Sequence, residues 1–204
     1  MILTLSEIAA DVSALAGTSV SRSDRRLRLI LPQAALRVMA DAPLSSLGEA
    51  LPLPGEIYPS PVRPDVGCIP LPRDFFRLKA FRLRGWSGAV TTLTSPDDGP
   101  LFLLRSSPWP EMSGSPAMPR CYRISFPGGE ALEFHRSPGE AAEAVIETAL
   151  YIPAPVIHDD DTIRLPRPLV EEIIMQTYNL ICKLPLSTAT SPSAATSQPE
   201  GRSV

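Results

Sequence analysis

The chain is poor in the residues that most often carry chemistry. Its 204 residues hold 3 cysteines and 2 histidines, and only Lys79 and Lys183 among its 19 basic residues are lysine. Cys68, Cys121 and Cys182 are odd in number, widely spaced and form no C-x-x-C pair. They point to neither a disulfide framework nor a cysteine zinc site. Glycine is scarce at 12 residues, against a collagen-like chain or a Gly/Ser linker. No stretch approaches the ~18 consecutive apolar residues of a membrane span. The N-terminus lacks a positive region, and Glu7 and Asp11 interrupt its apolar run, so no signal peptide is expected and synthesis in a reducing cytoplasm is. A net charge of only -3 argues against a generic nucleic-acid binder.

What is present is proline. The 24 prolines make up about 12% of the chain, against a usual ~5%. With 44% hydrophobic and 20% charged residues the chain is nonetheless globular in composition. Arginine dominates the cations. Its planar fork suits interface carboxylates, and a GC-rich genome would raise Arg, Pro and Ala together; both explanations stand.

Read in order, the chain predicts an α+β fold of N-terminal helices, an extended proline-rich arm, a small antiparallel sheet and a C-terminal helix. Thr4 or Ser6 caps a first helix with Leu5, Ile8, Ala9, Val12 and Leu15 at helical spacing, stopped by Gly17. Ser23 or Asp24 caps a second, with Leu27, Ile30, Leu31, Ala35 and Val38 on one face. Pro32 is expected to kink or restart it. From residue 43 to 72 eight prolines forbid helix and disfavour an interior strand. This stretch is too apolar for a linker (Leu51, Leu53, Ile57, Tyr58, Val62, Ile69, Leu71), and is expected to lie on the domain or on a neighbouring subunit.

Strand alternation follows. Phe76, Leu78 and Ala80 alternate with Arg77 and Lys79, then Phe81 and Leu83 alternate in the opposite phase, which marks a bulge. Arg73, Arg77, Lys79, Arg82 and Arg84 read as a solvated strand face or, secondarily, a phosphate or acidic-partner contact. Residues 87–119 read as loop around a short element at Leu101–Leu104. Three strands then appear: Cys121 to Phe126, Leu132 to His135, and Val145 to Ile152, separated by Pro127-Gly128-Gly129 and Ser137-Pro138-Gly139. Matching apolar side chains pairs Phe126 with Leu132 and Ile124 with Phe134, giving a three-stranded meander. Pro168 starts the last helix, with Glu171 and Glu172 in its first turn and Lys183 near its end. Val170, Ile173, Ile174, Thr177, Leu180, Ile181 and Leu184 form its apolar stripe, and Pro185 stops it. The chain is expected to be one domain over 1–184 with a disordered Ser/Thr/Pro-rich tail over 185–204.

The run Ile69-Pro70-Leu71-Pro72-Arg73-Asp74-Phe75-Phe76-Arg77-Leu78 leads into the strand from Lys79 to Trp86. The strand Thr148 to Pro153, the Asp159-Asp160-Asp161 run and the helix from Pro168 follow later. This order resembles the head–tail adaptor or connector proteins of tailed bacteriophages, including tail tubular protein A and its relatives in Bacteroidetes phages. The resemblance implies a structural virion protein made in the bacterial host cytoplasm. It would form a homo-oligomeric ring, a dodecamer by that likeness, between the portal protein and the tail or nozzle proteins, close to the packaged DNA. The rival reading is a non-viral protein- or peptide-binding module without catalytic activity.

No catalytic, cofactor or metal site is expected. His158-Asp159-Asp160-Asp161 lacks the spacing of a calcium loop and reads as a solvated run, with one aspartate at the closing helix's N-terminus. In the proposed register Cys121 and His135 share a sheet face diagonally, ~7–8 Å apart at Cα, and His135 faces Arg123 in an exposed polar face. The interface candidates are Leu51, Leu53, Ile57 and Tyr58 on the arm, Arg25 and Arg28 of the Arg22-Arg25-Arg26-Arg28 cluster, and Trp86 and Trp109. For the tryptophans the alternative is capping of the domain's own core; for the arginines it is a solvated face.

Overall fold

A threonine three residues ahead of a glutamate begins the helical layer. The computed structural model describes residues 1–17, 19–21, 23–59, 66–126, 128–135 and 143–183. Arg22, Val62, Pro127, the 137–139 turn, Leu184 and the 185–204 tail lie outside the described residues. Strand β1 (Ile2–Thr4) runs directly into α1 (Leu5–Ala16). The Thr4 hydroxyl accepts from the Glu7 amide at 3.2 Å, and the Glu7 carboxylate accepts from the Thr4 amide at 2.7 Å. This capping box satisfies two donors that a helix start otherwise leaves open. Gly17, at φ 62°, takes the left-handed conformation that closes the helix.

Helix α2 (Arg25–Asp41) is capped by Asp24, whose carboxylate accepts from the Arg26 amide at 2.8 Å. It does not restart at Pro32 but runs through it as one element. Leu27, Ile30 and Leu31 before the proline and Ala34, Ala35, Val38 and Met39 after it are all buried, so both halves are anchored in the core. Helix α5 (Val170–Lys183) packs on α1 and α2 through Ile173, Ile174, Thr177 and Ile181, with Val170 and Leu180 half-buried beside them. Pro168 lies in a 3-10 turn, Arg167–Leu169, that leads into it. Leu15, expected in the α1 stripe, is instead exposed.

The fold is α+β, but the sheet is not a meander. Strand β8 (Ile146–Pro153) is the centre of a three-stranded antiparallel sheet, between β2 (Leu51–Pro52) and β5 (Phe75–Leu83). A second antiparallel sheet has the order β3 (Tyr58–Pro59), β4 (Val66–Pro70), β7 (Gly129–His135), β6 (Cys121–Phe126). β8 leaves its sequence neighbour because it carries apolar side chains on both faces. Ile152 enters the helical core while Tyr151 enters a second core between the sheets. A strand buried on both sides belongs between two layers.

Of the two placements expected for the 43–72 segment, its described residues take the first and lie on the domain, though as more than an edge strand. β4 is an interior strand, and Leu47, Leu53, Val66 and Ile69 are buried in the chain's own cores. Three of its prolines fall where ladders end, Pro52, Pro59 and Pro70 each being the last residue of its strand.

The β6–β7 register also differs. Cys121 pairs with Phe134, Ile124 with Ala131 and Phe126 with Gly129. Gly129, at φ 134°, lets the hairpin close with only two residues between the strands. The partner of Phe126 thus moves three residues along β7, and an odd shift exchanges which residues share a face. Cys121, Leu132 and Phe134 point into the second core; Tyr122, Glu133 and His135 point away from it.

Rings of Phe81, Trp86 and Phe134 fill that core, with centroids 5.5–6.1 Å apart. Trp86 is 2% exposed, so of its two readings the core cap is correct and the interface is not. The predicted phase slip in β5 is present as register shifts after Phe75, Leu78 and Arg82. The residues turned to the second core are Phe75, Leu78, Phe81 and Leu83, while Phe76 packs toward the helices. Of the five cations expected on a solvated face, Arg73, Arg82 and Arg84 are exposed, whereas Arg77 and Lys79 turn to the helical layer. Arg77 Nη1 donates to the Ala42 carbonyl at 2.8 Å, and Lys79 Nζ donates to the Leu44 carbonyl at 2.7 Å. Both hold carbonyls at or just beyond the negative end of α2.

Candidate functional site

Alternation on β7 puts a carboxylate and an imidazole on the outer face of the second sheet, where a two-sheet stack would meet water. Water does not reach them, because residues 95–119 fold back over that face. This excursion holds a 3-10 turn (Pro96–Asp98), α3 (Pro100–Leu103), a second turn (Leu104–Ser106) and α4 (Pro110–Ser113). Phe102 meets the Tyr122 ring edge-on at 6.2 Å, and Arg105 lies over the Phe102 ring at 5.2 Å. Arg105 Nε stands 3.2 Å from Glu133 Oε1, and His135 Nε2 stands 2.8 Å from the same oxygen. The Tyr122 hydroxyl donates to the Met112 carbonyl at 3.4 Å.

Glu133 and His135, at 7% and 2% exposure, are therefore buried rather than part of an exposed polar face. Cys121 and His135 lie on opposite faces of the sheet, and Arg123 stands opposite Leu132, not His135. The thiol that shares His135's face is Cys68, which sits directly across from Glu133. Burial, then the Glu133 charge, push the Cys68 thiol up to about 11, with Arg105 working weakly the other way. Cys121 is pushed well above its ordinary value by burial alone. A cysteine nucleophile needs the reverse, a thiolate favoured by cations.

Graded thiol reactivity is the expected result. Cys182 is exposed and should react with a disulfide reagent at once, while Cys121 should react only on unfolding. At pH 8, Cys68 should react about a hundredfold more slowly than a free thiol, reflecting its rise from 9.0 to about 11. Between those two values the unfolded chain has lost the proton that the native chain keeps, so stability should fall across that window. Thiol-release kinetics and a pH series of denaturant melts check both; full-rate Cys68 labelling at pH 8 would contradict the burial.

The His158–Asp161 run divides its side chains among separate tasks. The Asp160 carboxylate accepts from the Thr162 hydroxyl at 2.6 Å and amide at 3.1 Å, which lowers its pKa. The Asp161 carboxylate pairs with Arg28. It is the Asp161 backbone carbonyl, not a carboxylate, that reaches a helix start, taking the Leu5 amide of α1 at 2.8 Å rather than serving α5. Among the described residues no group of His, Cys, Asp and Glu is arranged to hold a metal ion.

A cleft of about 810 Å³ lies between the end of α2, β1 and the ends of β8 and β9 (Thr162–Arg164). Its floor is apolar, with Met39, Leu47, Leu51 and Ile152. Of its polar groups, Asp74 accepts from the Tyr151 hydroxyl at 3.1 Å and Arg164 stands 3.4 Å from Glu49, while His158 and Arg167 also line it.

The most conspicuous surface is the outer side of the excursion. Trp109 is 67% exposed and Leu103 74%, with Leu101, Met112 and Met118 also exposed. Trp109 is the N-cap of α4 and Met112 lies within it, both exposed. Of the other nominated residues, Leu53 is corrected to core. Leu51 and Ile57 are half-buried against the second core, and Tyr58 is exposed on edge strand β3. Arg25 and Arg28 are exposed on α2, Arg28 already paired with Asp161. Sequence reasoning missed Leu101, Leu103, Met112 and Met118; the available signal was that Arg105 and Glu111 are the only charges from residue 99 to 119.

No protein-family model matches this chain, and comparison with curated proteins finds no significant relative. No described helix is long and apolar enough to cross a membrane.

Proposed function

We propose that this chain is a non-catalytic assembly subunit, a ring-forming adaptor that joins the portal of a tailed bacteriophage to its tail. The observation that carries this reading is the Trp109 surface, a group of large apolar side chains held in water by an ordered scaffold. Exposed apolar patches of this kind mark protein–protein contacts, and tryptophan is enriched where such contacts are strongest.

The run Ile69–Leu78 that carries the phage resemblance has structural tasks that suit an assembly subunit. The Asp74 carboxylate takes the Tyr151 hydroxyl, its carbonyl takes the Ala154 amide at 2.6 Å, and Arg77 ties β5 to the end of α2. The motif locks the sheet layer to the helical layer. It makes the scaffold rigid.

The purified chain, mixed with the portal and tail proteins encoded beside it, should appear in negative-stain images as ring density beneath the portal. A chain that never joins portal or tail particles, while capturing an unrelated peptide partner through Trp109, would replace this reading by the non-viral binding module.

A further inference from the structure

The excursion's surface is acidic as well as apolar. From residue 96 to 119 the charges are Asp97, Asp98 and Glu111 against Arg105, net -2, and Arg105 is spent on Glu133 of its own sheet. Helix α2 is the opposite. Arg25, Arg26, Arg28 and Arg37 stand against Asp41 alone, net +3 within the helix. Its outer stripe at four-residue spacing is Arg25, Leu29, Gln33 and Arg37, all exposed, with Leu29 at 58%. Arg25 and Arg37 make no ion pair with a described residue. An apolar side chain between guanidinium groups that pair with no described residue complements apolar side chains on a net acidic stretch, where Asp98 caps Ser95 and Asp97 and Glu111 are exposed.

The two surfaces also lie at opposite ends of the layer stack. The excursion covers the outer face of the second sheet, and α2 belongs to the helical layer beyond the first. They cannot meet within one copy. We propose that copies of this chain associate head to tail, with the excursion of one seated on the Arg25–Leu29–Arg37 stripe of the next. The contact joins two different surfaces, so it repeats and closes into a ring when the rotation allows. Trp109 and Leu103 supply the desolvated centre, and a guanidinium of the partner stacks on the indole. A standard interface takes about 800 Å² from each partner. The apolar side chains alone fall short of that, so the flanking charges complete the contact and make it salt-sensitive. This contact rests on the assembly reading above and names the partner of that surface.

The test uses two variants with one face spoiled in each: Leu103→Ser with Trp109→Ser, and Arg25→Glu with Arg37→Glu. All four side chains are exposed, so melting curves should match the wild type. Should the first variant lose its fold, Glu111→Arg spoils the same face. In light scattering the wild type should associate with rising concentration, and each variant should weaken association by at least about tenfold. Mixed one to one, the two variants should form a dimer and stop, since only one good pair of faces remains. A wild type monomeric at every concentration, a variant that associates normally, or a mixture that stays monomeric would overturn the contact. Portal binding measured on the same samples separates the two ideas. A monomer that still joins the portal removes this contact and leaves the adaptor; self-association without portal binding does the reverse.

Discussion

Replacing Gly67 by alanine should destabilise the protein by about 3 kcal/mol. Gly67 lies on β4 opposite Phe134, and a Cβ there would come within 2.2 Å of the ring's Cζ and within 2.9 Å of two further ring atoms. Its backbone is ordinary, so the cost is steric alone. Phe134 cannot retreat, because Phe81 and Trp86 hold its other sides at centroid distances of 5.5 and 6.1 Å. A loss of this size lowers the melting temperature of a chain this long by roughly 6–12 °C. Combining Gly67→Ala with Phe134→Leu should cost less than the sum of the two changes, since the smaller side chain frees the space. A double-mutant cycle in denaturant reads the coupling. Additive losses would mean the ring is not what the glycine accommodates.

The second large effect concerns the latch between excursion and sheet. Arg105→Met should cost about 2 kcal/mol or more, because it leaves the Glu133 carboxylate buried with only the imidazole of His135 beside it. Arg105 is itself one-third exposed, which keeps the loss below that of a fully buried pair. Glu133→Gln should cost less, since the guanidinium it frees can turn to water while the amide still meets His135. Adding Glu133→Leu to Arg105→Met should recover part of the loss by removing the stranded charge. Thermal melts of the three variants give the order; Glu133→Gln as the worst of them would refute the asymmetry. Proteolysis within 96–119 should accelerate in Arg105→Met before the whole molecule unfolds, because the tie that holds the excursion down is weakened.

Both experiments bear on what a reader of the sequence could and could not see. The Thr4 cap, the α2 and α5 stripes, the start of α5 near Pro168 and the bulged β5 were legible because each rests on contacts within a few residues. The Cys121–Phe126 and Leu132–His135 strands were legible for the same reason. Their register was not. Apolar matching favoured Phe126 opposite Leu132, but the hairpin closes at Phe126 and Gly129, and the three-residue shift turns Cys121 to the core face and sets Tyr122 beside Glu133 and His135 on the outer one.

Trp86 and Trp109 show the same division from the other side. Both sit beside Gly/Ser/Pro-rich stretches and look alike in sequence. One fills the second core and the other stands in solvent, because only one lies where two sheets close on each other. The scarcity of cysteine, histidine and lysine, the α+β content, the helix starts and the existence of each long element follow from the sequence by itself, through composition and local spacing. The tertiary structure alone decided that β8 leaves its hairpin neighbours and that the proline-rich segment contributes an interior strand. It also decided that a short excursion buries the Glu133 carboxylate and His135 beneath it while holding Trp109 outside. Those outcomes depend on which surface covers which, a long-range choice made by packing, and no window of neighbouring residues contains it.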